Sequence, residues 1–329
     1  MPKKIQKTTL TMNSIAKLYS DENEAYKEFE RILWKNGVVC PHCKSVNQSK
    51  FMTPRNDKER LTRTGKITYR RVWQCDACHE QFSVLVGSVF EDSRIPISKW
   101  LMAFQEMSSD KNGISSYELA RKLDITQKSA WHMSQRIRYA LTMPPLSNKL
   151  KGTVEVDETY FGGKAKNMHK SKRQLVIQGR GTVGKTPVFS ILERGGEVRS
   201  QVLENVNSQT VKEPILNNVE KESFLNTDTS PIYNEIGKEF AQHEAVDHSA
   251  DEYVRGLAHI NTMEGHFGQL KRSIDGTHHH VSKKHLNRYL AEFDYRYTTR
   301  KQPDGLRTEE AIRHSVGKRL TYTDLIKDE

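Results

Sequence analysis

The chain has 329 residues, of which 52 are Lys or Arg and 41 are Asp or Glu, so its formal charge is +11 at pH 7. That length predicts roughly two to three domains, and the charge favours a polyanionic partner because phosphates bound by Lys and Arg release their counterions. A basic protein that is merely soluble is the alternative. No apolar run approaches about 18 residues and MPKKIQKTTL lacks a secretory apolar stretch, so we expect a cytosolic protein with no membrane partner.

The first predicted element is a helix within an N-terminal helical segment, residues 1–36. Apolar residues recur at helical spacing through SIAKLYSDENEAYKEFERILWKNG, and Gly37 stops the pattern. An amphipathic helix needs a partner for its apolar face. We therefore expect this helix to pack on the module that follows it.

All four cysteines lie in the next segment, in two CxxC pairs that are 31 residues apart. Two such pairs can place four thiolates tetrahedrally around Zn²⁺. A redox dithiol would need only one pair, and disulfides are typical of secreted proteins, which we do not expect this chain to be. We predict a zinc ribbon over residues 37–92. Its ligands are Cys40, Cys43, Cys75 and Cys78. The basic hairpin between the pairs either contacts DNA or is a solvated hairpin that serves only folding.

Residues 93–145 predict three helices, of which the last two are separated by the short break DIT. Ser115 and Ser116 can cap the first of these two, and Thr126 the second. This is the pattern of a helix-turn-helix, whose second helix enters the major groove, although a plain three-helix bundle has the same pattern. The candidate base-reading residues are Gln127, Lys128 and His132, and the candidate phosphate contact is Arg136.

Beyond a Pro-Pro linker at residues 144–145, strands alternate with helices. Strands are predicted at TVEVDETYF, at QLVIQG and in a hairpin that folds at Gly195-Gly196. A helix, the strand ESFLNTD, a helix around PIYNEIGKEF, the short HEAVDHS and the long helix NTMEGHFGQLKRSI follow. This order is that of a ribonuclease H-like fold over residues 151–300, which leaves 301–329 as a C-terminal tail. The predicted fold class is multidomain α+β, with a zinc ribbon, a helix-turn-helix and a ribonuclease H-like mixed α/β catalytic domain.

Three acidic residues stand where that fold carries its carboxylates: Asp157 on the first strand, Asp228 at the end of FLNTD, and Glu264 on the long helix. Taken singly, each is as readily a turn or cap acid. Together they can bind the pair of divalent ions that cutting and joining phosphodiesters requires. Lys271 follows Glu264 by two helical turns on the same face, where it can hold a DNA phosphate. Glu158 should point to the opposite face of its strand.

The blocks VEVDETYFGGKAKN, FLNTD and HINTMEGHFGQLKRSIDGTHHHVSKKHLNRYLAEFDYRY carry a resemblance that covers roughly residues 20 to 300. The chain resembles bacterial insertion-sequence transposases of the DDE type that have an N-terminal zinc ribbon, the ISXO2-like (IS1595) family. The resemblance implies that Asp157 and Asp228 are the two catalytic aspartates, that either Glu264 or Asn261 fills the third position, and that Lys271 is the trailing basic residue. A carboxylate gives a hard dication a full negative charge, which favours Glu264 over Asn261.

The resemblance also implies the reaction and the partners. The enzyme would bind the terminal inverted repeats of double-stranded DNA, cleave the ends and transfer them to target DNA. It would use two Mg²⁺ or Mn²⁺ ions held by Asp157, Asp228 and Glu264. Synapsis of two ends implies a homodimer or a larger assembly, located in the cytoplasm with the nucleoid. The alternative is a zinc-ribbon DNA-binding regulator that has no transposition activity.

Overall fold

In the computed structural model the described residues are 10–54, 60–62, 64–65, 67–142, 148–162, 184–246 and 254–327. The chain divides into two compact units, Met1–Thr142 with Lys301–Glu329, and Met143–Arg300. Within the described ranges, no helix is long and apolar enough to cross a membrane. The predicted strand QLVIQG, residues 174–179, lies outside the described residues, as do four basic residues of the ribbon hairpin, Arg55, Lys58, Arg63 and Lys66.

The elements have the following bounds. The helices are α1 (Met12–Ser20), α2 (Glu22–Leu33), α3 (Ile97–Ser109), α4 (Ser116–Leu123), α5 (Gln127–Leu141), α6 (Ser208–Asn218), α7 (Asn234–Gly237), α8 (Asn261–Ser273), α9 (Lys283–Thr298), α10 (Asp304–Arg313) and α11 (Tyr322–Ile326). The strands are β1 (Ser49–Phe51), β2 (Trp73–Cys75), β3 (Gln81–Phe82), β4 (Thr153–Phe161), β5 (Thr186–Glu193), β6 (Val198–Val202), β7 (Phe224–Asp228) and β8 (Gln242–Val246). A 3₁₀ turn spans Pro231–Tyr233 and a π-helical turn spans Ile274–His278.

The N-terminal helix predicted as one element is two helices, α1 and α2. The break is Asp21, whose backbone is extended, with φ −128° and ψ 100°. Its carboxylate accepts the N–H groups of Asn23 at 3.0 Å and Glu24 at 3.1 Å. An Asp side chain that bonds the next backbone N–H groups caps a new helix and does not continue the old one. The prediction of helix was right and that of a single helix was wrong.

The helical segment packs on the ribbon, as predicted. The ribbon is a three-stranded antiparallel sheet in the order β1-β2-β3. On α2, the buried Glu30 carboxylate accepts hydrogen bonds from Arg71 Nε and from Trp73 Nε1, each at 2.8 Å. Trp34, the residue after α2, packs edge-on against the rings of Trp73 and Phe82. These contacts join α2 to the ribbon within the first unit.

Helices α4 and α5 are joined by a three-residue turn, residues 124–126. Asp124 adopts the left-handed region at φ 48°, which ends α4. The Ser115 hydroxyl accepts the N–H of Glu118 at 3.1 Å, and the Thr126 hydroxyl accepts that of Ser129 at 3.2 Å. Both helices therefore begin at capping residues that the sequence predicts.

The C-terminal residues, predicted as a tail, fold into α10 and α11 within the first unit. Thr308 on α10 is fully buried, and its hydroxyl donates to Gln105 Oε1 on α3 at 2.6 Å. Glu309 pairs with Arg31 on α2 at 2.7 Å and with Arg313 on its own helix at 2.7 Å. The Gln105–Thr308 contact joins residues 203 apart in the chain, so no local pattern predicts it.

The second unit is built on a five-stranded sheet in the order β6-β5-β4-β7-β8. Strands β4, β5 and β6 are antiparallel, and β7 and β8 run parallel to β4. The apolar side chains of one face pack on α6 and on the segment 231–240, and those of the other face pack on α8 and α9. Strand β4 is therefore central and is covered on both faces.

Candidate active site and zinc centre

Strands β4 and β7 bring two of the predicted acids to one place. Their parallel register pairs Glu155 with Asn226, and continuing it by two residues puts Asp157 level with Asp228. Residues two apart in a strand share a face, so both carboxylates lie on the face that carries Glu155. The Asp157 carboxylate accepts the N–H of Glu158 at 2.8 Å, and that of Asp228 accepts the N–H of Ser230 at 3.0 Å.

The helix α8 carries the third acid, and a buried glutamate ties this helix to β4. Glu155, which is 0% exposed, accepts the N–H of Met263 in the first turn of α8 at 2.8 Å. A carboxylate at a helix N-terminus satisfies an otherwise unpaired N–H and complements the helix dipole. The contact holds the start of α8 against the strand two residues before Asp157. Glu264 and Asn261 are both exposed in this first turn.

Arg194 completes this connection. Its Nε lies 2.5 Å from Glu155 Oε1, while its two terminal nitrogens donate to the carbonyls of Leu257 at 2.8 Å and His259 at 2.7 Å. The guanidinium fork thus fixes the chain that leads into α8, and it also neutralises the buried Glu155 carboxylate. Sequence reasoning missed both residues. The signal for Glu155 was the strand alternation, which put it on the same face as Asp157.

The carboxylates of the site repel one another. Burial, together with the negative charges of Glu158, Asp228 and Glu264, raises the pKa of Asp157 from 3.8 to about 8. All three acids therefore lie close enough to Asp157 for their charges to act on it. Glu158 contacts the opposite side of the sheet, as predicted: the buried Tyr233 hydroxyl donates to its carboxylate at 2.6 Å. Burial also raises the pKa of Glu158.

The donor set of this cluster fits hard divalent ions, which prefer carboxylate oxygens. Two ions roughly 4 Å apart could share such a set, because each ion contacts only some of the carboxylates.

The raised pKa of Asp157 predicts that the metal-free protein loses stability as pH rises. Between the unfolded pKa of 3.8 and the folded pKa of about 8, the folded state keeps a proton that the unfolded state has lost. The free energy of unfolding therefore falls across that window and levels off above it. We expect Asp157→Asn to resist urea better than the parent chain at pH 8 in EDTA, and this difference to shrink at pH 5 or with Mg²⁺. Circular dichroism at both pH values measures it.

Glu222→Gln is the matched control for this prediction. Glu222 is exposed in the same unit, so its replacement should leave the urea midpoint unchanged at either pH. A difference between Asp157→Asn and the parent chain that is equal at pH 5 and pH 8 would contradict the prediction.

Two candidate DNA-reading residues begin α5 and are partly or fully exposed. Gln127 donates from Nε2 to the Ser116 hydroxyl at 3.0 Å. Lys128 is exposed, and its ammonium nitrogen lies 4.8 Å from the centre of the Tyr322 ring. The N-terminal end of α5 thus presents an amide and a cation.

Two further candidates on α5 are placed differently from the prediction. Arg136 is 6% exposed and donates to the main-chain carbonyl of Glu91 at 2.5 Å, so its guanidinium faces the protein, and its contact with a phosphate stays a prediction. The reason is helical period: nine residues at 100° each place Arg136 on the side of α5 opposite Gln127. His132 is partly buried with its ring edge-on to Tyr322, and burial lowers its pKa.

The four cysteines form a cluster with the dimensions of a zinc site. The Sγ atoms of Cys40 and Cys78 are 3.7 Å apart, and those of Cys43 and Cys75 are 3.6 Å apart. A tetrahedron with Zn–S bonds of about 2.3 Å has edges of about 3.8 Å. A hydrogen bond from Ser45 lowers the pKa of the Cys75 thiol to about 6, which favours the thiolate.

Each CxxC pair is shaped by the same turn. The residue after each pair, Lys44 or His79, is left-handed, at φ 64° and φ 62°. Its N–H donates to the carbonyl of the first cysteine of the pair, from Lys44 to Cys40 at 3.0 Å and from His79 to Cys75 at 2.9 Å. Both pairs of sulfurs are thereby turned to one point, and the cluster fits a structural zinc ion.

The comparisons with known proteins agree on the class. Residues 149–298 match the family model of the ISXO2-like transposase domain, and residues 20–81 match that of the transposase zinc-ribbon domain. A Halobacterium salinarum protein, described as an uncharacterized protein in transposable element ISH50, is 29% identical over 295 residues, which are 87% of this chain and 94% of that protein. A transposase domain that follows a zinc ribbon thus defines the class of this protein as a transposase. Residues 20–81 and 149–298 carry the zinc-ribbon and transposase domains that IS1595-type transposases have.

Among solved structures, a pre-cleavage Mos1 transpososome is similar over 67% of this chain and 79% of that chain. The identity is 12% and the TM-score is 0.22, and a similarity this weak supports no conclusion about the fold.

Proposed function

We propose that this transposase cleaves DNA at the ends of an insertion sequence and joins them to target DNA, with Asp157, Asp228 and Glu264 as its catalytic carboxylates. The observation that carries the proposal is the parallel register of β4 and β7, which puts Asp157 level with Asp228; burial and the neighbouring acids raise the pKa of Asp157 to about 8. Acids held together against their own repulsion are typical of sites that bind cations or perform catalysis. The match to a transposase domain supports DNA as the substrate.

We assign the reaction to a ribonuclease H-like domain over residues 151–300. The strand order β6-β5-β4-β7-β8 supports this assignment, with three antiparallel strands followed by two that run parallel to the first. Ahead of it we propose the zinc ribbon at residues 37–92 and a helix-turn-helix at residues 93–145. The capped helices α4 and α5 with their three-residue turn support the latter.

When bound, two Mg²⁺ or Mn²⁺ ions would supply an activated water and stabilise charge on the phosphoryl oxygens. Asp157, Asp228 and Glu264 would hold them through carboxylate oxygens. Glu155 acts on this set indirectly, because its bond to Met263 fixes the helix turn that carries Glu264. Lys271 is exposed at the other end of α8, where its ammonium group can bind a phosphate of the same DNA.

DNA recognition is proposed to lie in the first unit. Gln127 and Lys128 at the start of α5 are the side chains placed to reach base edges or phosphates. With a formal charge of +11, binding should weaken steeply as salt rises. Two transposon ends must be held together for joining, so we propose at least a homodimer on the DNA, in the cytoplasm with the nucleoid.

The choice between Glu264 and Asn261 as third ligand is open to direct test. The two side chains lie one turn apart on α8 and are both exposed. We expect Glu264→Gln to abolish Mg²⁺-dependent strand transfer and Asn261→Ala only to weaken it, because a hard dication gains more from a carboxylate than from an amide. The substrate is DNA carrying the inverted repeats that flank the gene. The reverse ranking of the two variants would assign the ligand to Asn261.

A further inference from the structure

A pocket of about 490 Å³ lies beside the acidic cluster, within the second unit. The end of β4 forms one side of it with Tyr160 and Phe161, and Lys185 precedes β5 at its edge. Lys271 and the residues that follow α8 form the other side. Phe161 follows Asp157 by four residues on the same strand, so both side chains lie on one face of the sheet. The pocket therefore opens on the face that carries the proposed catalytic carboxylates.

The wall that follows α8 has an unusual backbone. The helix ends in a π-helical turn, Ile274–His278, and His279 then adopts φ 59° and ψ −45°. The N–H of His280 donates to the carbonyl of His278 at 2.6 Å, which closes a γ-turn around His279. Such turns are rare and strained for a residue with a side chain. Their effect here is to carry His279 and His280, both exposed, to the pocket.

The pocket is lined by an aromatic ring, by cations and by a hydrogen-bond acceptor, and this combination matches one kind of ligand. Phe161 packs on the face of the sheet that carries α8 and α9, where its ring offers an aromatic surface, while Lys185 and Lys271 offer cations. The carboxylate of Asp275 can accept hydrogen bonds from N–H groups. A ring surface, cations and a hydrogen-bond acceptor together suit a base that is attached to a phosphate.

The size of the pocket excludes a double helix. A volume of 490 Å³ corresponds to a cube with edges of about 8 Å, whereas the major groove of B-DNA alone is about 12 Å wide. The volume falls in the range of small-ligand sites, roughly 300–1,000 Å³. Only a nucleotide that has left the duplex can enter.

We propose that this pocket holds one unpaired nucleotide of the DNA substrate, with its base against Phe161 and its phosphates against Lys185 and Lys271. The proposal rests on the proposed function, since it puts that nucleotide on the face of β4 that carries Asp157. An enzyme that extrudes a nucleotide binds an already unpaired one more tightly, because the unpairing energy is not spent on binding. Loss of one base-stacking ring lowers affinity by roughly 5- to 150-fold.

The test uses the full chain carrying Asp157→Asn, in EDTA, so that binding is measured without cleavage. The probes are two duplexes with 2-aminopurine at one position, either as a single-nucleotide bulge or paired with thymine. We expect the bulged duplex to bind more tightly and its fluorescence to be quenched on binding. Adding Phe161→Leu should remove most of that preference, and Phe161→Tyr, which keeps the ring, should retain it. Lys185→Gln should weaken binding of the bulged probe.

Lys212→Gln is the matched control, since Lys212 is exposed on α6 of the same unit and does not line the pocket. Equal affinity for the two probes, or a preference that Phe161→Leu leaves intact, would overturn the proposal. Cleavage of inverted-repeat DNA by the parent chain in Mg²⁺ is scored separately. Cleavage without a preference for the bulged probe would overturn the nucleotide pocket and leave the proposed reaction standing. A preference for the bulged probe without cleavage would overturn the proposed reaction and leave the pocket standing.

Discussion

Replacing Asp157 with Asn should abolish strand cleavage in Mg²⁺ and leave DNA binding by the full chain unchanged. Asp157 lies on the central strand, level with Asp228 and beside Glu264, and its carboxylate is the one on which the other charges act. The amide keeps the size of the side chain but removes the negative charge that a dication requires. We expect a loss of roughly 10³-fold or more, in line with removal of a principal catalytic group.

The measurement pairs two assays on the same DNA, which carries the inverted repeats that flank the gene. Strand cleavage is followed in Mg²⁺, and binding is followed by fluorescence anisotropy over a range of salt concentrations. Glu222→Gln, an exposed acid of the same unit, serves as control and should cleave like the parent. Normal cleavage by Asp157→Asn would refute the assignment of the catalytic carboxylates.

Freshly purified protein should contain about one zinc ion per chain, and Cys75→Ser should unfold the ribbon. The cysteine Sγ atoms lie within 4.8 Å of one another, while the ribbon strands are only two to three residues long. Such short strands cannot hold a module together, so the metal supplies its folding energy, which is about 10–16 kcal/mol in small zinc modules. Residues 143–300 form a separate unit and should stay folded.

Elemental analysis gives the zinc content, and limited proteolysis shows which part of the chain has opened. His42→Ser is the matched control, because His42 is exposed inside the first CxxC pair and is not one of the four clustered ligands. It should keep its zinc and its resistance to proteolysis. Protein that lacks zinc when freshly purified, or Cys75→Ser that keeps the parent's zinc content, would contradict the prediction.

The sequence by itself determined the features that short spacings encode. Two CxxC pairs predict a four-thiolate cluster wherever the chain between them runs, and the cluster is present. Alternation along VEVDE puts Asp157 and Glu158 on opposite faces of β4, and the bond from Tyr233 to Glu158 agrees. Ser115 and Thr126 cap the helices that they precede. Each of these is a local rule of period or capping that needs no knowledge of distant partners.

The tertiary structure alone decided what depends on residues far apart in the chain. Glu155 holds α8 through a bond to Met263, which is 108 residues away, and Thr308 joins the first unit through Gln105, 203 residues away. Arg136 is a surface cation by composition but is buried once α5 packs its far side against the core. Local period and capping carry no information about which distant surface covers a residue, so these placements become visible only when the packed elements are seen together.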